Sequence, residues 1–388
     1  MKRGADFYGN DIVARALAGT DYQRFVDSTL ADLYHNRDTK GFEYDPIMQY
    51  GFTYQQLQEE HGVSAMSSYI DFDSEVPLRS VEGVETLSGD IPRFGDGYSM
   101  NEKQMREKLL LAQQGLFNED SRNSILSLLY NTTEDLIMSV YNTLSYQRHQ
   151  MVSTGELNIT DANNPRGGIK NIKFKAGIPD ENITALSGTA RWFTDTNLTE
   201  GTASDPMKVI VDELKRRKNA FMPTEAIEMS KELWDAFLGH SKVLIAVGYY
   251  YNPESASDAI ATNIAKRLPE DDLKRIIERK LGVRIDVIDK IVAVEKYNKA
   301  KKEIERPSMS AFDVDRIVFI PSSNLGTIKV VKPLTVGDPA VKVAFYDSNR
   351  IMLLQSFNER KTTFRVESQF TGLCVPTKSK YISIIKVR

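Results

Sequence analysis

Residues 121–155 read SRNSILSLLYNTTEDLIMSVYNTLSYQRHQMVSTG. Apolar residues recur at Ile125, Leu128, Leu129, Leu136, Val140, Leu144 and Met151, the three-and-four spacing of one helical face. No proline lies between Pro92 and Pro165, so nothing in the run forbids a helix. Asn118 or Asp120 can cap its start, and Gly155 sits where a residue of positive φ ends a helix. Such a helix is on the order of 50 Å long. Its surface also carries Asn131, Thr132, Thr133, Asn142 and Gln147, which predicts a strut between parts of the molecule and not a core plug. Gly155 at positive φ is an expectation of its own.

Outward from this helix, composition sets bounds. The chain has 388 residues, 41% of them hydrophobic, enough for two or three modest cores. A net charge of −3 gives no global field to recruit nucleic acid or an anionic membrane. With Cys374 as the single cysteine, an internal disulfide and a cysteine-based zinc site are excluded, and its strand-like setting predicts a packed, inert thiol. The start, MKRGADFYGNDIVARALAG, has no apolar core of signal-peptide length, and no run of about 18 apolar residues occurs. A soluble chain made in a reducing compartment is expected, which leaves the Asn-x-Ser/Thr triplets as chance matches.

Before the helix, residues 21–36 carry Phe25, Val26, Leu30, Leu33 and Tyr34 at helical spacing, and a second short amphipathic piece spans 54–61. Neither can bury itself, so an N-terminal arm lying on another surface is predicted over residues 1–66. Residues 67–100 mix alternating β-type residues with Gly83, Gly89, Gly95, Gly97, Pro77 and Pro92, the texture of an extended β-loop. Its apolar residues Val76, Leu78, Val81, Val84, Leu87 and Ile91 are too sparse for a core, so the loop is expected to pack on a neighbour; a surface hairpin folded back on its own domain is the alternative.

After the helix, residues 156–174 read as strand, turn, strand around Pro165 to Gly168, and Trp192 and Phe193 are expected anchors. An α/β section follows: Asp205-Pro206 opens a helix that ends in Lys215, Arg216, Arg217 and Lys218, read as a solvated basic cap. A strand at 224–230 precedes helices at 231–238, 255–267 and 269–281, the last ended by Gly282. The remainder is strand-rich, with a polar insertion at YNKAKKEIERPSM.

Chemistry is conspicuously sparse. The histidines His35, His61, His149 and His240 show no metal-ligand spacing, and His149 reads as a surface or interface residue. No nucleophile elbow, phosphate loop or dinucleotide fingerprint occurs. Nothing makes a case for catalysis, a cofactor or a metal.

The order of parts, together with VPLRSVEG and IPRFGDGYSM before the helix, RHQMVSTGELNI at its end, Trp192, Asp205-Pro206, MSKELWDAFL and RIVFIPSSNLG, resembles the tailed-phage major capsid proteins of the Hong Kong ninety-seven fold, most of all their lambda-type branch. The resemblance implies an α+β fold divided as 1–66 arm, 67–100 extended β-loop, 101–204 peripheral domain with its spine helix, 205–347 axial domain, and 348–388 returning peripheral strands. It implies inter-subunit contacts at Val76, Leu78, Arg79, Val81, Leu87, Ile91, Arg93 and Phe94, and a spine-helix end marked by Arg148 and Gly155. It also implies pentamers and hexamers closing an icosahedral shell around double-stranded DNA without sequence-specific binding, no membrane, and location in the virion after synthesis in host bacterial cytoplasm. A separate scaffolding protein, a portal and a decoration protein are the implied partners. An encapsulin-type nanocompartment shell, and a cytosolic α/β enzyme built on 205–347, are the competing readings.

Overall fold

The computed structural model describes residues 37–58, 86–103, 119–168, 171–195, 198–201, 204–298, 301–335, 337, 341–358 and 363–388, with single positions between 23 and 33 and the backbone alone over 119–132. The expected long helix is α1 (Glu119–Thr154). Before it come β1 (Phe42–Tyr44), β2 (Thr53–Leu57), β3 (Thr86–Asp90), β4 (Arg93–Phe94) and β5 (Gly97–Met100). After it run β6 (Glu156–Ile159), β7 (Ile172–Lys175), β8 (Ile183–Ala185), α2 (Pro206–Asn219), β9 (Ala226–Ser230), α3 (Lys231–Gly239), α4 (Ser241–Tyr251), α5 (Asp258–Ala265) and α6 (Glu270–Leu281). Strands fill the rest: β10 (Arg284–Ile288), β11 (Ile291–Ala293), β12 (Lys296–Asn298), β13 (Glu303–Glu305), β14 (Ser308–Ser310), β15 (Arg316–Ile320), β16 (Gly326–Val330), β17 (Val341–Tyr346), β18 (Ile351–Asn358), β19 (Thr363–Pro376) and β20 (Ser383–Lys386). The expected α+β class holds.

A five-stranded sheet, β10-β9-β15-β20-β8, separates two cores. Along a strand successive side chains point to opposite faces, and here the alternation assigns them to different cores. Ile227 and Met229 of β9, Ile317 and Phe319 of β15, and Ile385 of β20 join the helices α2 to α6 through Ile210, Leu233, Trp234, Phe237, Val247 and Ile277. Ala226, Val318, Ile320 and Ile384 face the other way, onto α1. All five residues of β9 are buried, as a strand covered on both faces requires.

On its far side α1 packs against a second sheet, ordered β1-β16-β19-β18-β17, with β4 and β5 also paired to β19. From Leu136 onward α1 is therefore a core element: Leu136, Ile137, Val140, Tyr141, Leu144, Met151 and Val152 are buried. The strut expected from its polar residues is corrected here. Thr133, Gln147, Arg148 and His149 are buried too, because sheets cover the helix on two sides. His149, read as a surface or interface residue, lies in this interior.

Several local signals act as their chemistry requires. The Asp205 carboxylate accepts from the Lys208 amide at 3.1 Å, capping α2 with Pro206 in its first turn. Ser230 caps α3 in the same way, and Gly282 ends α6 at φ +73°. Trp192 and Phe193 are fully buried anchors. Cys374 is buried, and burial pushes its thiol up to about 12.

Other expectations are corrected. Of the residues 54–61 read as an amphipathic piece after a helical one, 54–57 lie in strand β2, paired with β3 and burying Tyr54 on one face. The basic end of α2 is not simply solvated. Arg217 is buried, donating to Thr224 Oγ1 (2.6 Å), Ser383 Oγ (2.6 Å) and the Pro223 carbonyl (2.5 Å), and burial pushes its pKa down to about 10. Strands β16 and β17, placed by sequence within 205–347, pair with β19 and β18 of the C-terminal sheet. Where it is described, the N-terminal segment lies on its own chain: Val26 and Leu30 enter the α1 core, and β1 runs parallel to β16.

Gly155 follows α1 at φ +77° and its carbonyl accepts from the Ala176 amide, turning the chain into the β6–β7 hairpin. A Cβ there meets Ile183 Cδ1 at 3.5 Å and Ile178 Cδ1 at 3.7 Å, ordinary contacts, so the backbone angle alone demands glycine. Gly155→Val is expected to cost about 1–3 kcal/mol in equilibrium unfolding, and Gly155→Asn clearly less. Equal stability of valine variant and parent contradicts this.

Candidate assembly surfaces and the joint behind them

Where α1 crosses β9, one buried ion pair joins the two halves of the molecule. Arg148 donates from Nη1 to Glu228 Oε2 at 2.7 Å and from Nη2 to Oε1 at 2.5 Å, with both side chains almost wholly buried. Burial pulls the guanidinium pKa down, but the Glu228 charge and hydrogen bonds outweigh it and leave it raised. Two further donors are used as well: Nε reaches the Lys40 carbonyl at 2.9 Å, and Nη1 lies 2.9 Å from His149 Nδ1. Because guanidinium only donates, Nδ1 accepts and the imidazole proton sits on Nε2, 3.8 Å from Asp38 Oδ2. Burial lowers the His149 pKa, so the ring is neutral beside the guanidinium. Lys40 then bonds Asp286 Oδ2 at 2.5 Å. The N-terminal segment, α1, β9 and β10 thus meet at one node.

A second polar cluster, buried at Ser204 and His240 and exposed at Glu200, has the outline of a nucleophile–base–acid triple. Ser204 Oγ is 3.0 Å from His240 Nε2, and Glu200 Oε1 is 3.6 Å from Nδ1. The proton sits on the wrong nitrogen for that chemistry. The Lys242 amide donates to Nδ1 at 3.2 Å, so Nε2 carries the hydrogen and donates to Ser204, which passes its own to the Gly201 carbonyl at 3.0 Å. Glu200 is engaged by the Ser241 amide and hydroxyl at the start of α4. The cluster is a clasp between the 192–204 loop and α4. Among the described residues no group of three or more acids, histidines or cysteines could hold a metal ion, and no helix is long and apolar enough to cross a membrane.

Of the expected contact residues, Val76, Leu78, Arg79 and Val81 lie outside the described residues. The other four contact their own chain. Ile91 is buried in the α1 core, Leu87 packs against it, and Phe94 lies 5.3 Å from the Phe370 ring. Arg93 is exposed and donates to Gln369 Oε1. Gly95 lets this base approach β19, since a Cβ there falls 2.1 Å from the Ser368 carbonyl oxygen. The loop base, the β6–β7 hairpin, the root of β11 and the N-terminal half of β19 frame an open groove of about 870 Å³. Arg166 of the hairpin bridges to Glu295 at 3.2 Å along its rim.

Most of the large apolar side chains left uncovered among the described residues fall along three stretches: Ile47, Tyr50, Phe52 and Leu57; Tyr250, Tyr251 and Ile260; and Ile291, Tyr297 and Ile304; Tyr98, Ile172, Phe221 and Leu334 are exposed elsewhere. Surfaces of this kind mark contacts with other molecules. Sequence reasoning missed the last two, because exposure depends on how α4 and α5 pack and on β12–β13 having no third strand among the described residues.

Removing one partner of the buried pair strands the other. Arg148→Met is expected to lose about 3–5 kcal/mol in urea unfolding, and Arg148→Met/Glu228→Leu to recover most of that. Equal losses in the single and double variants contradict a pairwise joint.

No curated protein matches the chain in sequence. Among solved structures it is similar to the mature capsid of bacteriophage PhiM1, at 11% identity and TM-score 0.42 over 89% of this chain and 85% of that one. It is also similar to the capsid of Myoviridae phage XM1, at 12% identity and TM-score 0.41 over 91% of each chain. A virus-like particle from Pyrococcus furiosus aligns at 10% identity and TM-score 0.38, over 95% of this chain and all of that one. The family model described as phage major capsid protein E matches residues 42–335, from β1 past β16. With that match spanning most of its length, the chain belongs to the phage major capsid protein E family and is a subunit of a viral shell.

Proposed function

We propose that this capsid protein assembles as pentamers and hexamers into an icosahedral shell around double-stranded DNA, after synthesis in the host bacterial cytoplasm. A separate scaffolding protein, a portal and a decoration protein are its proposed partners, and its role is structural, with no enzymatic step. The two cores support a division into an axial part, the helices α2 to α6 on the five-stranded sheet, and a peripheral part, α1 with the β19 sheet. Strands β16 and β17 go with the peripheral part by their pairing.

The observation that carries the assembly reading is where the extended loop departs. β2 and β3 pair up to Leu57 opposite Thr86, and β4 and β5 fasten the same base to β19. The base is fastened by these ladders, and the sequence between them, residues 59–85, carries Val63, Tyr69, Ile70, Phe72, Val76, Leu78 and Val81. We assign this segment to a neighbouring subunit, with Val76, Leu78, Arg79 and Val81 as contacts. Repeated pairwise contacts of about 1,600 Å² total are enough to hold a shell.

The ladder itself supplies the test. Replacing residues 59–84 with Asn-Gly joins Gln58 to Glu85 by a two-residue hairpin turn without moving the strands. The variant is expected to melt within about 5 °C of the parent and to form no closed shells by negative-stain microscopy. Normal shells contradict the loop's role.

A further inference from the structure

Two of the uncovered surfaces differ in charge as well as in place. Strands β11 and β14, then β12 and β13, form a narrow ribbon that pairs with no third strand among the described residues. Tyr297 and Ile304 are direct cross-strand partners and so share one face. They are 56% and 60% exposed. A two-stranded ribbon is at best marginally stable in water, and an uncovered apolar pair at its outer end gains most from a partner. Lys301 bonds Glu305 at 2.8 Å within the ribbon, and over residues 295–306 Lys296, Lys299, Lys301, Lys302 and Arg306 outnumber Glu295, Glu303 and Glu305.

The second surface is the corner of α4 and α5. Gly248 brings the helices backbone to backbone, since a Cβ there falls 2.1 Å from the Ala261 carbonyl oxygen. The crossing leaves Tyr250, Tyr251 and Ile260 exposed. From Val243 to Ala265 the charged residues are Glu254 and Asp258, both acidic, while Lys280 of α6 reaches the Ala246 carbonyl one turn before Tyr250 at 3.4 Å.

We infer that the β12–β13 ribbon of one subunit seats its Tyr297–Ile304 face against the α4–α5 corner of the next copy of this chain. Apolar centre meets apolar centre, and a positive rim meets a negative one. Pairing either surface with itself sets like charges together, which costs affinity. Because two different surfaces of one chain are joined, the contact runs head to tail, and such contacts close into rings when the rotation allows. The inference rests on the capsid function above and adds a lateral contact independent of the extended loop.

Disulfide trapping tests it, since the one native thiol, Cys374, is buried and unreactive at neutral pH. Tyr297→Cys/Tyr251→Cys shells, mildly oxidised, are expected to give a ladder of covalent multimers on denaturing gels. Shells co-assembled from the two single variants are expected to stop at dimers. Shells that form but yield only monomers, or dimers from Tyr297→Cys alone, overturn the contact and leave the capsid function standing. Parent protein that forms no particles counts against the capsid function itself. Tyr297→Asp gives a second readout: an unchanged melting temperature with at least a ten-fold lower shell yield is expected, and normal yield overturns the contact.

Discussion

The rest of the structure depends on the burial of Arg148 against Glu228. Two charges leave water there, at a cost repaid only by acceptors held in fixed geometry around the guanidinium. Glu228 supplies two, the Lys40 carbonyl a third and His149 Nδ1 a fourth. The ion pair therefore acts as a register pin. A one-residue slip of β9 turns Glu228 away from α1 and into the apolar core around Trp234 and Phe237. An apolar pair at the same place could hold α1 against the sheet, but would fix its position along the strand less sharply.

With that node set, the molecule reads as a rigid body with unfinished edges. α1 is clamped between two sheets, and the helices of the second core close the far face of β9. Among the described residues, what is left uncovered includes the Tyr297–Ile304 face of the β12–β13 ribbon and the tyrosines at the α4–α5 corner. Rigid bodies with incompletely buried edges are suited to a shell, where neighbours complete the burial and the body keeps angles between subunits constant.

Local chemistry made much of this legible in sequence. The Asp205-Pro206 start of α2, the αL glycines Gly155 and Gly282, and the apolar period of α1 each act within a few residues, so they can be read without knowing the fold. What stayed hidden depends on distant partners. Arg217 looks like one of four solvated cations until Ser383, far along the chain, arrives to accept from it. His149 looks like a surface residue until α1 is covered twice. The parallel pairing of β1 with β16 and the return of β16 and β17 to the C-terminal sheet leave no local trace. The 241–251 segment, SKVLIAVGYYY, is apolar on most sides, so its period does not mark a helix. The candidate contacts were half legible: the sequence texture marks a β-loop, while only the strand ladders show that Leu87, Ile91, Arg93 and Phe94 belong to a base fastened to its own chain.

The most direct measurement is the size and symmetry of the purified full-length protein, by light scattering and electron microscopy, with and without a co-expressed scaffold. Closed shells, or rings of five and six subunits, are the expected result. A protein that stays a monomer or dimer in both conditions contradicts the account.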